Sequence, residues 1–184
     1  MDMTLSLKKL KEFFEKEKIP YMVFGGLATG VYGYERMTYD IDIKILHDIS
    51  EDSLAELVKK LSAVSTILPK DPVQFIRTTM VLPIEIENVK ADIVFTGLEY
   101  EIESITRACE RELFGISLKM ISVEDLIVQK SISERDKDWQ DIENLIKFNK
   151  NLDWKYLLKQ INFFSEILDR PVMVINIEKM KNER

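Results

Sequence analysis

Apolar and polar positions along this chain repeat with two different periods, which predict helices in some segments and strands in others. Apolar residues three and four positions apart indicate helices, and alternation of apolar and polar residues indicates strands. The predicted helices span residues 4–18, 26–33, 51–62, 98–110, 123–134, 138–148 and 153–168. The predicted strands span residues 21–24, 39–46, 81–86 and 89–96, with a strand pair or a single bent strand over residues 113–121.

Capping and turn residues extend this assignment. Asp71 followed by Pro72 favours a short helix over residues 71–78. In the tail, the valines after Pro171 favour a strand locally, but the proline favours a helix start, and we expect a helix. The side chains expected to cap other helices are Thr4 or Ser6, Ser50 and Ser122.

The order of these elements predicts an α/β (α+β) fold. A mixed β-sheet flanked by helices fills the first two thirds of the chain, and a helical C-terminal region follows. We expect a core over residues 1–121 and a helical region over residues 122–184 that packs on the core. The 184 residues, 46% hydrophobic and 32% charged, fit an ordinary globular composition.

Charge, cysteine content and hydropathy argue against several classes of protein. The net charge of −6 argues against a broad, non-specific grip on nucleic acid, although a local basic pocket for a triphosphate is compatible with it. Cys109 is the only cysteine, so no internal disulfide forms, which fits the reducing cytoplasm. The N-terminus does not resemble a signal peptide, and no apolar run approaches the roughly 20 residues of a membrane span. We therefore expect a cytoplasmic protein without a membrane partner.

The strand predicted at residues 39–46 carries two acids on one face. Asp40 and Asp42 point to one side because strand side chains alternate, while three isoleucines point to the other. Neighbouring carboxylates repel each other, and a hard divalent cation relieves that repulsion. The alternative is an exposed strand face that happens to carry two acids.

Residues on either side of this strand favour the metal interpretation. Gly25 and Gly26 lie at a strand-to-helix turn, where glycines let phosphate oxygens approach backbone N–H groups. Asp92 on a neighbouring strand could complete a two-metal site and accept a proton from an attacking hydroxyl. The alternative for Asp92 is a strand-end residue that bonds the backbone. No P-loop, GxGxxG or zinc-binding pattern matches the chain.

Together these residues resemble the nucleotidyltransferase (DNA polymerase beta-like) superfamily. Its pattern is two small residues at a helix start, Asp-x-Asp in a strand, and a lone aspartate in a later strand. GGLATGVYGYERMTYDIDI is similar to the small abortive-infection type (AbiEii-like) nucleotidyltransferase toxins, which share the Gly-Gly start and an Arg-x-Thr-x-Asp-Ile-Asp run. SVEDLIVQKSISERDKDWQDIENLI is similar to the helical signature of that group, whose matching positions here are Lys130, Arg135, Asp138 and Asp141.

The resemblance implies a minimal nucleotidyltransferase fold and a set of roles. An NMP passes from an NTP to a hydroxyl, and pyrophosphate leaves, in a reaction that depends on two Mg²⁺ ions, or Mn²⁺ in their place. Asp40, Asp42 and Asp92 are the catalytic and metal-binding residues, and Asp92 also activates the acceptor hydroxyl. The nucleotide-binding residues are Gly25, Gly26, Arg36, Thr38, Lys130 and Asp138. The alternative for Lys130 and Arg135 is a solvated helix face.

The acceptor and the biological role stay open at this point. The acceptor is an RNA end such as that of tRNA, a protein or a small molecule, and a toxin role implies an antitoxin partner. Many active superfamily members carry serine at the position of Gly26, so a non-catalytic nucleotide-binding or interaction module is the alternative function. A sugar transferase that binds a nucleotide sugar through Asp-x-Asp ranks lowest, because it requires neither the glycine pair nor Asp92.

Overall fold

A computed structural model describes residues 2–33, 38–133 and 135–183 of the chain. The fold divides into two compact units. The first unit comprises Met1–Leu27 and Met37–Ile121 and contains the sheet, and the second comprises Ala28–Arg36 and Ser122–Arg184 and is helical.

The first unit is built on a mixed sheet of seven strands within the described ranges. The strands are β1 (Tyr21–Val23), β2 (Asp40–Ile45), β3 (Thr66–Ile67), β4 (Val81–Ile86), β5 (Val89–Phe95), β6 (Cys109–Leu113) and β7 (Ile116–Met120). Their order across the sheet is β3-β4-β5-β2-β1-β7-β6. β2 runs parallel to β5 and β1 runs parallel to β7, while the other neighbouring pairs are antiparallel. The predicted mixed sheet is therefore confirmed.

The helices follow the apolar periodicity of the sequence. Within the described ranges they are α1 (Met3–Lys16), α2 (Gly25–Tyr32), α3 (Glu51–Leu61), α4 (Pro72–Thr79), α5 (Glu99–Thr106), α6 (Val123–Ile132), α7 (Asp136–Phe148), α8 (Trp154–Ile167) and α9 (Val172–Asn182). The predicted short helix after Asp71 and the predicted tail helix are both confirmed. None of the helices described has the length and apolar character that crossing a lipid bilayer requires.

Each unit buries its own apolar side chains. In the first unit, Ile41, Ile43 and Ile45 of β2 are at most 1% exposed, on the face opposite Asp40 and Asp42. Other buried residues of this unit include Leu7, Leu10, Phe14, Leu54, Leu57, Leu61, Ala91 and Ile93. In the second unit the buried residues include Ile127, Ile142, Leu145, Leu157, Ile161, Met173 and Ile177. The burial patterns of β2 and β5 thus separate an apolar face of the sheet from a polar one.

Several sequence predictions are wrong in detail; one is Ser50, which precedes α3 but whose side chain makes no capping hydrogen bond. The helix predicted over residues 98–110 ends at Thr106, and Cys109 lies in β6 rather than in a helix. β6 pairs with β7 at the edge of the sheet and is mostly exposed, so it has no buried alternation for a sequence pattern to reveal. The short strand β3 was not predicted. Neither Thr4 nor Ser6 caps α1, because the Oδ1 atom of Asp2 accepts a hydrogen bond from the Leu5 amide at 2.9 Å.

Candidate active site

The pairing of β2 with β5 brings the three predicted catalytic aspartates to one face of the sheet. Asp42 lies directly opposite Asp92 in the parallel register, and Asp40 lies opposite Lys90. Because alternate residues share a face, all three aspartates point away from the buried isoleucines. The sequence predicted the shared face of Asp40 and Asp42, but neither the face of Asp92 nor this register.

The charges on this face repel each other. Partial desolvation raises the pKa of Asp92, the negative charge of Asp40 raises it further, and Lys90 lowers it only in part. An anionic cluster of this kind is stabilised by a cation, and carboxylate oxygens are the ligands that Mg²⁺ prefers. In the described part of the chain, no three Asp, Glu, His or Cys side chains are already grouped as a metal site. Asp40, Asp42 and Asp92 are therefore not gathered as a metal site in this structure, although their chemistry and shared face suit a divalent cation.

Gly25 lies directly against the carboxylate of Asp42. Its φ angle is +63°, a conformation that residues with side chains rarely adopt. A Cβ atom at this position would overlap Asp42 Oδ2 and lie 2.8 Å from Asp42 Cγ. Glycine is thus required at position 25 both for its backbone conformation and for the approach of Asp42.

Gly26 lies under the side chain of Thr38. A Cβ atom on Gly26 would lie 2.8 Å from Thr38 Oγ1 and 3.0 Å from Thr38 Cβ. The same Oγ1 donates a hydrogen bond to Asp40 Oδ1 at 2.7 Å. Thr38 therefore connects the glycine turn to the first aspartate of β2, and a serine at position 26 has no free space. Arg36, the other residue predicted in this segment, lies outside the described residues.

Lys130 and Asp138, the two predicted nucleotide-binding residues of the second unit, contact each other. Lys130 Nζ donates to Asp138 Oδ1 at 3.0 Å and to Asp141 Oδ2 at 2.6 Å. Arg135 Nε donates to Asp138 Oδ2 at 2.6 Å. The side chain of Lys130 is 9% exposed and those of both aspartates are 1% exposed, so Lys130 is not on a solvated helix face, whereas Arg135 is 64% exposed.

The ionised form of Asp138 is favoured in this network. Burial alone raises the pKa of a carboxyl, but hydrogen bonds from Ser133 and Lys130, the charge of Lys130 and a hydrogen bond from Arg135 hold the pKa of Asp138 below its usual range. The network therefore joins α6 to α7 through charged hydrogen bonds. A role of Lys130 in phosphate binding stays a prediction.

Two residues near the aspartates were missed by sequence reasoning. Lys44 lies on β2, on the same face as Asp40 and Asp42, and pairs with Glu101 of α5. Lys44 was visible in the alternation of this strand, two residues after Asp42, but nothing in the sequence indicated that its charge is buried. Its partner lies 57 positions away, and that contact depends on the tertiary fold.

Comparison with solved structures shows that this fold is shared. The solution structure of the antibiotic-resistance factor ANT(2'')-Ia is 14% identical, with each chain covered fully and a TM-score of 0.60. The lincomycin-bound crystal structure of the lincosamide antibiotic adenylyltransferase LnuA is 17% identical, covering 80% of this chain and 98% of that one, with a TM-score of 0.54. An antigenic nucleotidyltransferase-like protein from Paracoccidioides brasiliensis is 17% identical, covering 95% and 93%, with a TM-score of 0.54.

Family membership rests on a comparison with protein-family models. None of the curated proteins matches the chain. The model of the family described as "Nucleotidyltransferase of unknown function (DUF6036)" matches residues 3–181, which is nearly the whole chain. This chain belongs to that family of nucleotidyltransferases.

Proposed function

We propose that this protein transfers an NMP from an NTP to a hydroxyl group of an acceptor, with release of pyrophosphate and dependence on Mg²⁺. The observation that carries this proposal is the pairing of Asp42 with Asp92 across two parallel strands, with Asp40 on the same face. The raised pKa of Asp92 is consistent with it, because that shift reflects partial burial first and the nearby charge of Asp40 second.

The three aspartates have distinct roles in this proposal. Asp40 and Asp42 would hold two Mg²⁺ ions, or Mn²⁺ in their place, and Asp92 would bind one of them as well. When bound, these ions offset the negative charge of the phosphates during phosphoryl transfer. Asp92 takes the proton of the acceptor hydroxyl as its oxygen bonds to the α-phosphorus. The bond from that phosphorus to the bridging oxygen breaks, and its electron pair leaves with pyrophosphate.

The nucleotide is held by the glycine turn and by residues assigned through resemblance. Gly25 and Gly26 open α2, and the dipole at a helix N-terminus favours a bound phosphate. The residues assigned by resemblance are Arg36, Thr38, Lys130 and Asp138. A phosphate contact by Lys130 would use the third N–H of its ammonium, beside the two that bond Asp138 and Asp141.

We propose a small molecule with a free hydroxyl as the first class of acceptor to test. Two solved structures of similar fold are named as an antibiotic adenylyltransferase and an antibiotic-resistance factor, and the acidic net charge disfavours a broad RNA-binding surface. RNA ends such as those of tRNA, and protein side chains, are the next classes. A cytoplasmic toxin of the abortive-infection type, neutralised by an antitoxin, is the biological role that the sequence motifs favour.

Incubation with NTPs labelled at the α-phosphate, Mg²⁺ and fractionated cell extract tests this function. We expect label on one class of extract component with the wild-type protein and at least a hundredfold less with Asp42→Asn. Label that persists equally in Asp42→Asn contradicts the role of that residue. Nucleotide binding without transfer to any fraction favours the non-catalytic alternative.

A further inference from the structure

One buried ion pair beside the candidate active site has no part in the proposed chemistry. Lys44 lies on β2, and its ammonium donates to Glu101 Oε1 of α5. The Lys44 side chain is 7% exposed and that of Glu101 is 19% exposed. Desolvating two charges offsets much of their attraction, so an apolar pair of similar volume is often equally stable. Stability alone is therefore a weak explanation for this pair.

Glu101 is held through both of its oxygens. Oε1 accepts from Lys44, and Oε2 accepts from the backbone N–H groups of Gly97 at 2.7 Å and Leu98 at 3.1 Å. Burial alone raises the pKa of Glu101, but the charge of Lys44 and these hydrogen bonds give a net lowering. The carboxylate therefore stays ionised and fixes the segment between β5, the strand of Asp92, and α5.

Lys44 also contacts the residue that precedes the glycine turn. Its Nζ atom lies 5.4 Å from the centroid of the Phe24 ring, within the range of a cation–π interaction. The backbone N–H of Phe24 donates to the carbonyl of Asp42 at 3.0 Å. The ring and the amide of Phe24 are thus both bound to β2 immediately before Gly25.

We propose that Lys44 is a positioning residue that fixes the Gly25–Gly26 turn through Phe24. Its ammonium joins three parts of the first unit: the end of β1 at Phe24, the aspartate strand β2, and the segment after β5 held by Glu101. This role rests on the proposed function, because the turn it fixes is the proposed site of the triphosphate. Lys44 itself touches no reacting atom in this proposal.

Amide hydrogen exchange, measured by NMR on the nucleotide-free protein, tests the positioning directly. Lys44→Met keeps the apolar stem and removes the ammonium, and we expect the Phe24 amide to exchange about tenfold faster than in the wild type. Lys44→Arg keeps a cation over the ring, so its rate should stay near the wild-type value. Lys9→Met, which breaks the Lys9–Glu87 ion pair elsewhere in the first unit, is the matched control.

A second variant controls for the case in which Lys44→Met does not fold. Lys44→Met leaves Glu101 without its cation, whereas the double variant Lys44→Met/Glu101→Gln removes both charges and keeps an oxygen that accepts from Gly97 and Leu98. We expect the same acceleration at Phe24 in this variant, with amides of β4 unchanged. If the Phe24 amide exchanges at the wild-type rate in folded Lys44→Met or in the folded double variant, the proposal is overturned. It is also overturned if amides throughout the sheet exchange faster by the same factor.

Titration calorimetry with a non-hydrolysable NTP analogue and Mg²⁺ connects this turn to the nucleotide. We expect the Kd of Lys44→Met/Glu101→Gln to rise about tenfold and that of Lys9→Met to stay at the wild-type value. Faster exchange with unchanged affinity overturns the connection between the turn and nucleotide binding. If the wild-type protein binds no NTP, the proposed function fails, and the exchange rates alone then decide whether Lys44 positions the turn.

Discussion

At the scale of single residues, the candidate site depends on two glycines that touch side chains of the protein itself. The sequence predicted Gly25 and Gly26 as close-approach positions for a phosphate. The structure adds that Asp42 already lies against Gly25 and that Thr38 lies against Gly26. The turn is therefore shaped by β2 and by Thr38 just before it, and side chains are excluded at both glycine positions.

Gly25→Ala should lower the free energy of unfolding by about 2 kcal/mol or more. The alanine adopts a left-handed backbone conformation and its Cβ atom overlaps the Asp42 carboxylate. Denaturant unfolding measures this change. Gly30→Ala in α2 is the matched control, because a Cβ atom there meets nothing within 4 Å; it should be neutral or raise stability by up to about 1 kcal/mol. Equal effects of the two substitutions contradict the close approach of Asp42.

Gly26→Ser should weaken Mg²⁺ binding because the new side chain displaces Thr38 from Asp40. The distance of 2.8 Å from the position of a Cβ atom to Thr38 Oγ1 leaves no room for both side chains. We also expect Gly26→Ser to lower the Tm. The double variant Gly26→Ser/Thr38→Ala should recover that loss, because alanine lacks the Thr38 Oγ1 atom that the serine would overlap. Thermal unfolding with and without Mg²⁺ measures both effects. A Gly26→Ser variant as stable as the wild type argues against the position of Thr38.

At the scale of elements, the sequence predicted strands with one buried face correctly and failed at an exposed strand. β2 and β5 alternate between buried and exposed positions, and the sequence predicted both strands and, for β2, the face of its two aspartates. β6 is an exposed edge strand of charged residues, so the same reasoning extended a helix into it. The opposition of Asp42 and Asp92 depends on the register between strands about 50 positions apart, which no local pattern encodes.

Asp92→Asn should stabilise the protein without metal and reduce its response to Mg²⁺. The substitution relieves repulsion from Asp40, an effect that solvent screening limits to about 0.5 kcal/mol, or about 1–2 °C in Tm. Thermal unfolding in EDTA and then in Mg²⁺ measures both changes. Asp52→Asn, an exposed carboxylate in the first turn of α3, is the control that should keep the wild-type response. A full Mg²⁺-dependent rise of Tm in Asp92→Asn excludes Asp92 as a metal ligand.

The stabilisation of the fold by the charged network between α6 and α7 should depend on pH. Asp138→Asn should lower the free energy of unfolding by about 3 kcal/mol at pH 7. The substitution removes one carboxylate partner of the buried Lys130 and breaks the ion pair with Arg135. The pKa of Asp138 is lowered in the folded state, so its stabilisation is complete above the ordinary carboxyl pKa and is lost as pH falls through the lowered value. The difference in unfolding free energy between Asp138→Asn and the wild type should therefore become smaller below about pH 4.

Unfolding curves over a pH series measure this difference. Asp136→Asn, an acidic residue exposed in the same first turn of α7, should show little effect at any pH. A difference between Asp138→Asn and the wild type that widens on acidification contradicts the ionised network.

At the scale of the whole molecule, the nucleotidyltransferase class and the fold were predictable from the sequence, and the arrangement of the site was predictable only in part. The motifs around Gly25 and Asp42 indicated a nucleotidyltransferase, and the family match over residues 3–181 agrees. The burial of Lys130 between two aspartates was not predictable, because a run of charged residues usually lies in solvent. Sequence patterns encode faces and turns, whereas charged pairs between distant elements arise from packing.

The most direct test of NMP transfer compares NTP labelled at the α-phosphate with NTP labelled at the γ-phosphate. The protein, Mg²⁺ and the acceptor fraction are the same in both reactions, and Asp42→Asn is run beside the wild type. The proposed reaction predicts that α-label joins the acceptor, that γ-label appears in pyrophosphate, and that both signals are lost in Asp42→Asn. Transfer of the γ-label to the acceptor, or α-label transfer that is equal in Asp42→Asn, would contradict it.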